Sequence, residues 1–149
     1  MSEENFDLDD FEDSDLEEQL ELIEFNEIID ALLDVDTTFP PRFLYRLSGL
    51  GGLELEQFIE TWPETAVTRR ERLLEDLEVL ADSATHLDFD QVFMLGLKET
   101  SAHTRQLSIR GLWECEDPAV ARLLLDILEL DPDLDVRVQA ARGLGRFVY

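Results

Sequence analysis

Three carboxylates alternate with other residues at Asp131, Asp133 and Asp135, in the order Asp-Pro-Asp-Leu-Asp. Alternating acids of this kind open an EF-hand loop, in which carboxylate oxygens bind calcium. That loop also needs a glycine at its sixth position and a glutamate at its twelfth, where this chain has Val136 and Arg142. The segment therefore predicts a turn whose acids cap the next helix, and we expect no metal site here.

Residues suited to nucleophilic or transition-metal chemistry are few and isolated. The two histidines, His86 and His103, are not paired at the spacing that places two ligands on one helix face. Cys115 is the single cysteine, which excludes an intrachain disulfide, and its apolar surroundings predict a small buried side chain instead of a nucleophile. The glycines of segment 49–52 lack the Lys-Ser/Thr that completes a phosphate-binding loop. The sequence predicts no catalytic residue and no cofactor.

Four arginines recur with a fixed spacing. The stretch Arg105-Gln-Leu-Ser-Ile-Arg110-Gly-Leu returns thirty-two residues later as Arg137-Val-Gln-Ala-Ala-Arg142-Gly-Leu. A period of this length is typical of one helical hairpin per repeat in a stacked array. The two arginines of a repeat are five positions apart, about 140° around a helix, so only one of each pair can fully share a face. All four are candidate contact residues for a partner or for an acidic segment of the chain itself.

The elements that must position these residues are predicted to be helices. Apolar residues recur at helical spacing from Leu16 onward, and no segment alternates as a strand does, so the fold class is all-α. The turns between predicted helices are short, which favours antiparallel neighbours. The predicted helices cover about residues 42–47, 53–61, 68–81, 88–98, 102–115, 118–130 and 134–148.

The run from Asp133 to Gly145 is similar to the first helix of a HEAT repeat, in particular the short HEAT-like repeats of phycobilisome lyases. The resemblance is carried by Val136-Arg137, Ala140-Ala141 and Leu144-Gly145. It implies antiparallel helical hairpins stacked as a short right-handed α-solenoid, with residues 68–98 as a degenerate repeat that lacks the arginine signature. The resemblance also implies a ladder between repeats, in which Arg105 and Arg137 would pair with acids. The acids expected to form it are Asp117, Asp133 and Asp135.

The net charge of -24 is concentrated at one end of the chain. Residues 1–36 hold sixteen carboxylates and no Lys or Arg, and the remaining residues come to about -8. We therefore expect an acidic arm at 1–36, a lead-in of short helices at 37–65, and repeats at 66–149. The repeats would cover 66–98, 101–130 and 133–149, the last without its second helix, as in a fragment of a longer repeat protein.

The acidic arm is expected to be disordered up to Ser14 and then to form an amphipathic helix over about 15–34. Its carboxylates have no cations to pair with, so the helix needs a surface to lie on. That surface is either a partner or the chain's own body, and both interpretations stay open. The apolar residues of the arm that could contact a partner are Phe6, Phe11, Leu20, Ile23, Phe25 and Ile28.

Composition limits the partners. A polyanionic arm is repelled by nucleic acid and by anionic membranes, so neither is expected as a direct partner. The sequence shows no signal peptide and no membrane-spanning run, which predicts a cytoplasmic protein. The leading hypothesis is a non-catalytic helical-repeat scaffold or adaptor that binds another protein. The alternative is an acidic decoy that mimics nucleic acid and occupies a basic protein, and the third is a lyase-like enzyme on the same scaffold.

Overall fold

The computed structural model describes residues 14–147, and within that range it is helical with no strand. The all-α prediction is therefore confirmed for this part of the chain. Residues 1–13, with Phe6 and Phe11, lie outside it. The helices are α1 (14–21), α2 (Phe25–Leu33), α3 (Pro41–Tyr45), α4 (Gly52–Thr61), α5 (Val67–Ser83), α6 (Asp90–Gly96), α7 (Ala102–Gly111), α8 (Pro118–Leu130) and α9 (Leu134–Leu144), with short 3-10 helices at Trp62–Glu64 and Gly145–Phe147.

The predicted helix over 15–34 is in fact two helices, α1 and α2. The break falls at residues 22–24, where Ile23 donates a turn hydrogen bond to the carbonyl of Leu20. The backbone N–H of Glu24 then donates to a carboxylate oxygen of Glu27 at 2.9 Å, which satisfies one of the unpaired donors at the start of α2. Apolar spacing continues through the break, so the periodicity of the sequence did not show it.

Helix α2 is part of the body of the protein. Its apolar residues Phe25, Ile28, Ile29 and Leu32 recur on one face and are all buried. The helix packs against α4, and Gln57 of α4 donates to the side-chain carbonyl of Asn26 at 3.1 Å. A guanidinium nitrogen of Arg69 in α5 donates to the carbonyls of Asp34 and Thr37, which holds the segment after α2 against α5.

Helices α5 to α9 pack in a regular way. Helix α7 contacts α5 on one side and α9 on the other, α6 packs against both α5 and α7, and α8 packs against α9. The packing buries one continuous apolar core that runs from Ile23 in the N-terminal helices to Ala140 in α9. The cap predicted among the acids of segment 131–135 is present at Asp133, whose carboxylate accepts the backbone N–H of Val136. Asp117 caps α8 in the same way, by accepting the backbone N–H of Ala119.

Other helix boundaries also differ from those predicted, among them the start of α5 and the end of α7. Helix α5 begins at Val67 with no side-chain cap, one residue before the predicted start at residue 68. Helix α7 ends at Gly111 instead of Cys115, so Trp113 lies in the turn that follows. No helix within residues 14–147 is long and apolar enough to cross a bilayer.

The repeated glycines Gly111 and Gly143 mark places where α7 and α9 approach the helices before them. A Cβ atom at Gly111 would come within 2.6 Å of the Phe93 ring of α6, and one at Gly143 within 3.0 Å of Leu124 of α8. Both positions are therefore small because a neighbouring helix occupies the space that a side chain would need.

Candidate functional site

The four repeated arginines do not form one strip. Arg105 lies on the side of the helices where α7 begins, and its guanidinium makes a two-pronged ion pair with Asp131 at 2.7 and 2.9 Å. The third nitrogen donates to the carbonyls of Glu99 and Thr100 just before α7. The side chains of Arg105 and Asp131 are 11% and 5% exposed, so the pair is part of the interior.

The same arrangement occurs at the start of α5. Arg70 donates from Nε to Glu99 at 2.8 Å and from another nitrogen to the carbonyls of Trp62 and Thr65, just before its own helix. Arg70 and Arg105 are the fourth residues of α5 and α7. Glu99 and Asp131 each lie two residues before the cap of the next odd-numbered helix. We call these two ion pairs the arginine ties.

The arginine ties correct two expectations. Residues 68–98 carry the first arginine of the signature, since Arg70 has in α5 the place of Arg105 in α7, but the second position holds Glu75. The acid that pairs with Arg105 is Asp131, not Asp117, Asp133 or Asp135. Two of those acids cap helices, and Asp135 lies in the first turn of α9. Arg137, the fourth residue of α9, is partly buried and makes no ion pair within residues 14–147.

Asp131 is held in its charged form. Burial raises the pKa of this carboxyl, but the hydrogen bonds from Arg105 and from the backbone of Asp133 outweigh burial and leave the pKa below its ordinary value. The carboxylate that would open a calcium loop is therefore used to tie α7 to the turn before α9. In residues 14–147 no group of three or more His, Cys, Asp or Glu side chains is arranged to hold a metal ion.

Arg110 and Arg142 are the second arginines of the two matching stretches, and they lie on the same surface. They line a cleft of about 440 Å³ with Ile109, Trp113 and Gln139, which we call the Trp113 cleft. Arg110 pairs with Glu78 of α5 through two hydrogen bonds of 3.1 and 3.2 Å. Arg142 is exposed and has no ion pair among the described residues.

Trp113 is the exposed centre of this surface. Its side chain is 51% exposed, because α7 ends two residues before it. The guanidinium of Arg146 lies 5.3 Å from the centre of its ring and donates to the carbonyl of Leu112 at 2.9 Å. Sequence reasoning missed Trp113 and Arg146 as site residues, and the glycine that ends α7 is the signal that could have found the first of them.

A second recess of about 560 Å³ shares Arg110 and Trp113 with the cleft and extends toward α5. Its lining includes the carboxylates of Glu78, Asp82 and Glu114. The surface across the ends of α5, α7 and α9 therefore has an acidic side and a cationic, apolar side, with Trp113 between them.

The apolar residues predicted for partner contact in the N-terminal helices have a different place. Ile23, Phe25 and Ile28 are in the core, with 8%, 8% and 0% of their surfaces exposed, and Leu20 is half-buried against the core. The first three serve the packing of α2 and are not an exposed surface. The carboxylates around them are exposed, namely those of Glu17, Glu18, Glu21, Glu24, Glu27 and Asp30.

The remaining chemically active side chains do not converge. His86 and His103 are both exposed, at the end of the segment after α5 and at the start of α7. Cys115 is buried, and its burial together with the nearby carboxylate of Asp90 raises the pKa of the thiol to about 11. A thiol with this pKa is almost entirely protonated at neutral pH and is a poor nucleophile.

No protein-family model, no curated protein and no solved structure matches this chain. The function is therefore argued from the geometry of the molecule.

Proposed function

We propose that this protein is a non-catalytic, HEAT-like helical-repeat scaffold that binds another protein. The observation that carries the proposal is the pair of arginine ties. The arginines of the pairs Arg70–Glu99 and Arg105–Asp131 occupy the same position in α5 and in α7. In a repeat array each unit contacts mainly its neighbours, so an interaction that recurs at each junction is what such an architecture requires.

In this proposal residues 66–149 are the repeats, with α5, α7 and α9 as the first helices of units stacked as a short right-handed α-solenoid. Such arrays present their surfaces to protein partners. The Trp113 cleft is the surface best suited to this role, because an exposed tryptophan beside arginines has the composition of protein interfaces. The proposal includes a cytoplasmic location.

The experiment is affinity purification of the full chain from a cytoplasmic extract, with the retained proteins quantified by mass spectrometry. We expect a protein that is retained by the wild type and lost with Trp113→Ala. The matched control is Leu53→Ala, a change at an apolar side chain that is 83% exposed on α4, away from the cleft. Turnover of a substrate by the purified chain with a bound metal or cofactor would contradict the non-catalytic proposal.

The exposed acids of α1 and α2 favour a second candidate function, an acidic decoy that occupies a basic protein. Such binding depends on summed charge and collapses as salt rises above physiological concentration. The arm is not removed to test it, because Phe25, Ile28 and Leu32 belong to the core. The variant instead replaces Glu17, Glu18 and Glu21 by Gln. A decoy loses its partner in this variant, whereas a scaffold that uses the Trp113 cleft keeps it.

A further inference from the structure

We propose that the Trp113 cleft binds an acidic peptide segment of the partner protein, with a large apolar side chain against Trp113 and an adjacent carboxylate on Arg142. The inference rests on the proposed scaffold function and specifies the chemistry of what it binds. Its basis is the complementarity between such a segment and the walls of the cleft.

The floor of the cleft is apolar. Ile109 is only 3% exposed and closes the bottom between α7 and α9, while Trp113 is 51% exposed and forms one wall. Arg146 already lies against the indole ring, with its guanidinium 5.3 Å from the ring centre. Contact with Arg146 already limits the motion of this ring. A ligand that packs on the ring therefore causes a smaller loss of side-chain conformational entropy than it would on a free tryptophan.

The rim of the cleft is cationic. Arg142 is exposed and has no ion pair among residues 14–147, so its guanidinium can form a two-pronged contact with a carboxylate. Arg110 differs, because Glu78 already holds it at 3.1 Å. The lining of the cleft contains no carboxylate. Arg142 is therefore the residue that selects for an acid.

The position of the acid is fixed by the neighbouring recess. Glu78, Asp82 and Glu114 line that recess on the α5 side of Trp113 and repel an anion there. A carboxylate next to the apolar anchor must therefore lie on the α9 side, beside Arg142. The net charge of -24 does not prevent this contact at physiological salt, because screening limits the effect of distant carboxylates to about 8 Å.

The same surface does not suit a nucleic acid. Binding a strand requires several phosphates to be neutralised along its length. Of the two arginines that line the cleft, only Arg142 has no ion pair among the described residues. A strand that crosses Trp113 would place phosphates against Glu78, Asp82 or Glu114. A peptide can place one acid at Arg142 and none on the other side.

The experiment titrates a short synthetic peptide, in which one phenylalanine is flanked by aspartates, into the full chain. Trp62 is buried and only 6% exposed, so changes in tryptophan emission report mainly on Trp113. We expect binding to shift the emission to shorter wavelength and to reduce quenching by acrylamide. Peptides with alanine for the phenylalanine, or with lysine for the aspartates, should bind at least about tenfold more weakly.

Three variants locate the contact. Arg142→Gln should weaken peptide binding by about three- to fivefold, as expected for loss of one exposed ion pair, measured by calorimetry. Trp113→Ala should weaken it by about tenfold or more. Arg122→Gln, which makes the same charge change at an exposed site on α8, should leave binding unchanged.

Several results would overturn the inference. These are equal binding of the lysine peptide, an Arg142→Gln affinity equal to that of Arg122→Gln, or a stronger response to a single-stranded oligonucleotide. Trp113 already shielded from acrylamide in the free chain would show instead that a segment of the chain itself occupies the cleft. A partner that is retained by Trp113→Ala and Arg142→Gln would refute the cleft while leaving the scaffold function in place. A chain that retains no partner refutes the scaffold function itself.

Discussion

At the scale of single residues, the role of each arginine follows from its position in its helix. Arg70 and Arg105, each the fourth residue of its helix, reach back to the carbonyls that precede that helix and across to a buried acid. Arg137 has the same position in α9 but makes no ion pair among the described residues. An arginine five positions later is near the other end of the helix and faces solvent, as Arg110 and Arg142 do. The same residue type therefore makes buried ion pairs near the start of α5 and α7 and lies at the surface near the end of α7 and α9.

Replacing Glu99 by alanine should destabilise the protein by about 3 kcal/mol or more, because Arg70 would lose its ion pair while only 15% exposed. The same carboxylate oxygen also accepts the indole N–H of Trp62 at 3.1 Å, and that donor would be left unpaired. The measurement is the free energy of unfolding in urea. Asp76→Ala, which breaks the exposed pair with Arg72, is the control and should cost less than about 1 kcal/mol. Equal losses for the two variants would contradict this account.

Cys115 should react with thiol reagents at pH 8 about a hundredfold more slowly than an ordinary cysteine, because burial raises the pKa of its thiol to about 11. The folded-state pKa is above the ordinary value. The linked stability is therefore fully present below about pH 8.5 and is lost as pH rises toward 11. The rate is measured with a chromogenic disulfide reagent, and the urea-unfolded chain is the control. A folded chain that reacts as fast as the unfolded one would show that the thiol is accessible.

The recurrence of the arginines after thirty-two residues was visible in the sequence, but the acids that pair with them were not. The thirty-two-residue comparison did not identify Arg70 as the equivalent of Arg105, because Arg70 precedes Arg105 by thirty-five residues. Glu99 and Asp131 were not predicted to pair with these arginines, because each lies between two helices, where no periodicity of the sequence indicates a buried position. Their burial depends on which carbonyls and guanidinium group the packed helices bring to them, and that is a property of the tertiary fold.

At the scale of the elements, helix ends were predictable where local chemistry determines them. Helix α8 runs from Pro118 to Leu130 as expected, because Asp117 caps its first turn and Pro118 suits the first helical position. The break between α1 and α2 was missed, because Glu24 begins a new helix without interrupting the apolar spacing. The end of α7 at Gly111 was also missed, and that error concealed the exposure of Trp113.

Gly111→Ala should destabilise the contact between α6 and α7 by about 1–3 kcal/mol, since its Cβ atom would meet the Phe93 ring at 2.6 Å. This cost exceeds the gain of about 1 kcal/mol that alanine brings to a helix. The control is Gly145→Ala, where no neighbouring side chain within residues 14–147 comes within 4 Å of the added Cβ, and its stability should stay the same or rise slightly. The measurement is again urea unfolding. A stabilised Gly111→Ala protein would mean that α6 and α7 pack less closely than described.

At the scale of the whole molecule, charge and packing are distributed differently along the chain. The exposed acids of α1 and α2 cover helices whose apolar face is part of the same core as α5 to α9. Helix α2 therefore forms part of this core and also carries exposed charge. The surface of the Trp113 cleft and the exposed charge of α1 and α2 can for this reason be altered separately by surface substitutions, but not by removing residues 1–36.

Salt should stabilise this protein against heat. Thirty-six acids face twelve bases, so the folded chain repels itself, and added ions screen that repulsion. Salt also weakens exposed ion pairs such as Arg72–Asp76, but each contributes less than about 1 kcal/mol. The buried pairs Arg70–Glu99 and Arg105–Asp131 are screened much less. Relief of repulsion should therefore prevail, and Tm should rise by about 2–4 °C for each kcal/mol gained.

The measurement is calorimetry of the full chain between low salt and 0.5 M sodium chloride, a concentration at which the Debye length is below about 8 Å. The variant with Gln at positions 17, 18 and 21 removes three exposed carboxylates without touching the core, so it should be more stable at low salt and respond less to added chloride. Sodium sulfate at equal ionic strength distinguishes screening from ion-specific effects, since only the latter differ between the two salts. A Tm that falls as chloride is added would mean that ion pairs, and not self-repulsion, dominate the electrostatic free energy of this fold.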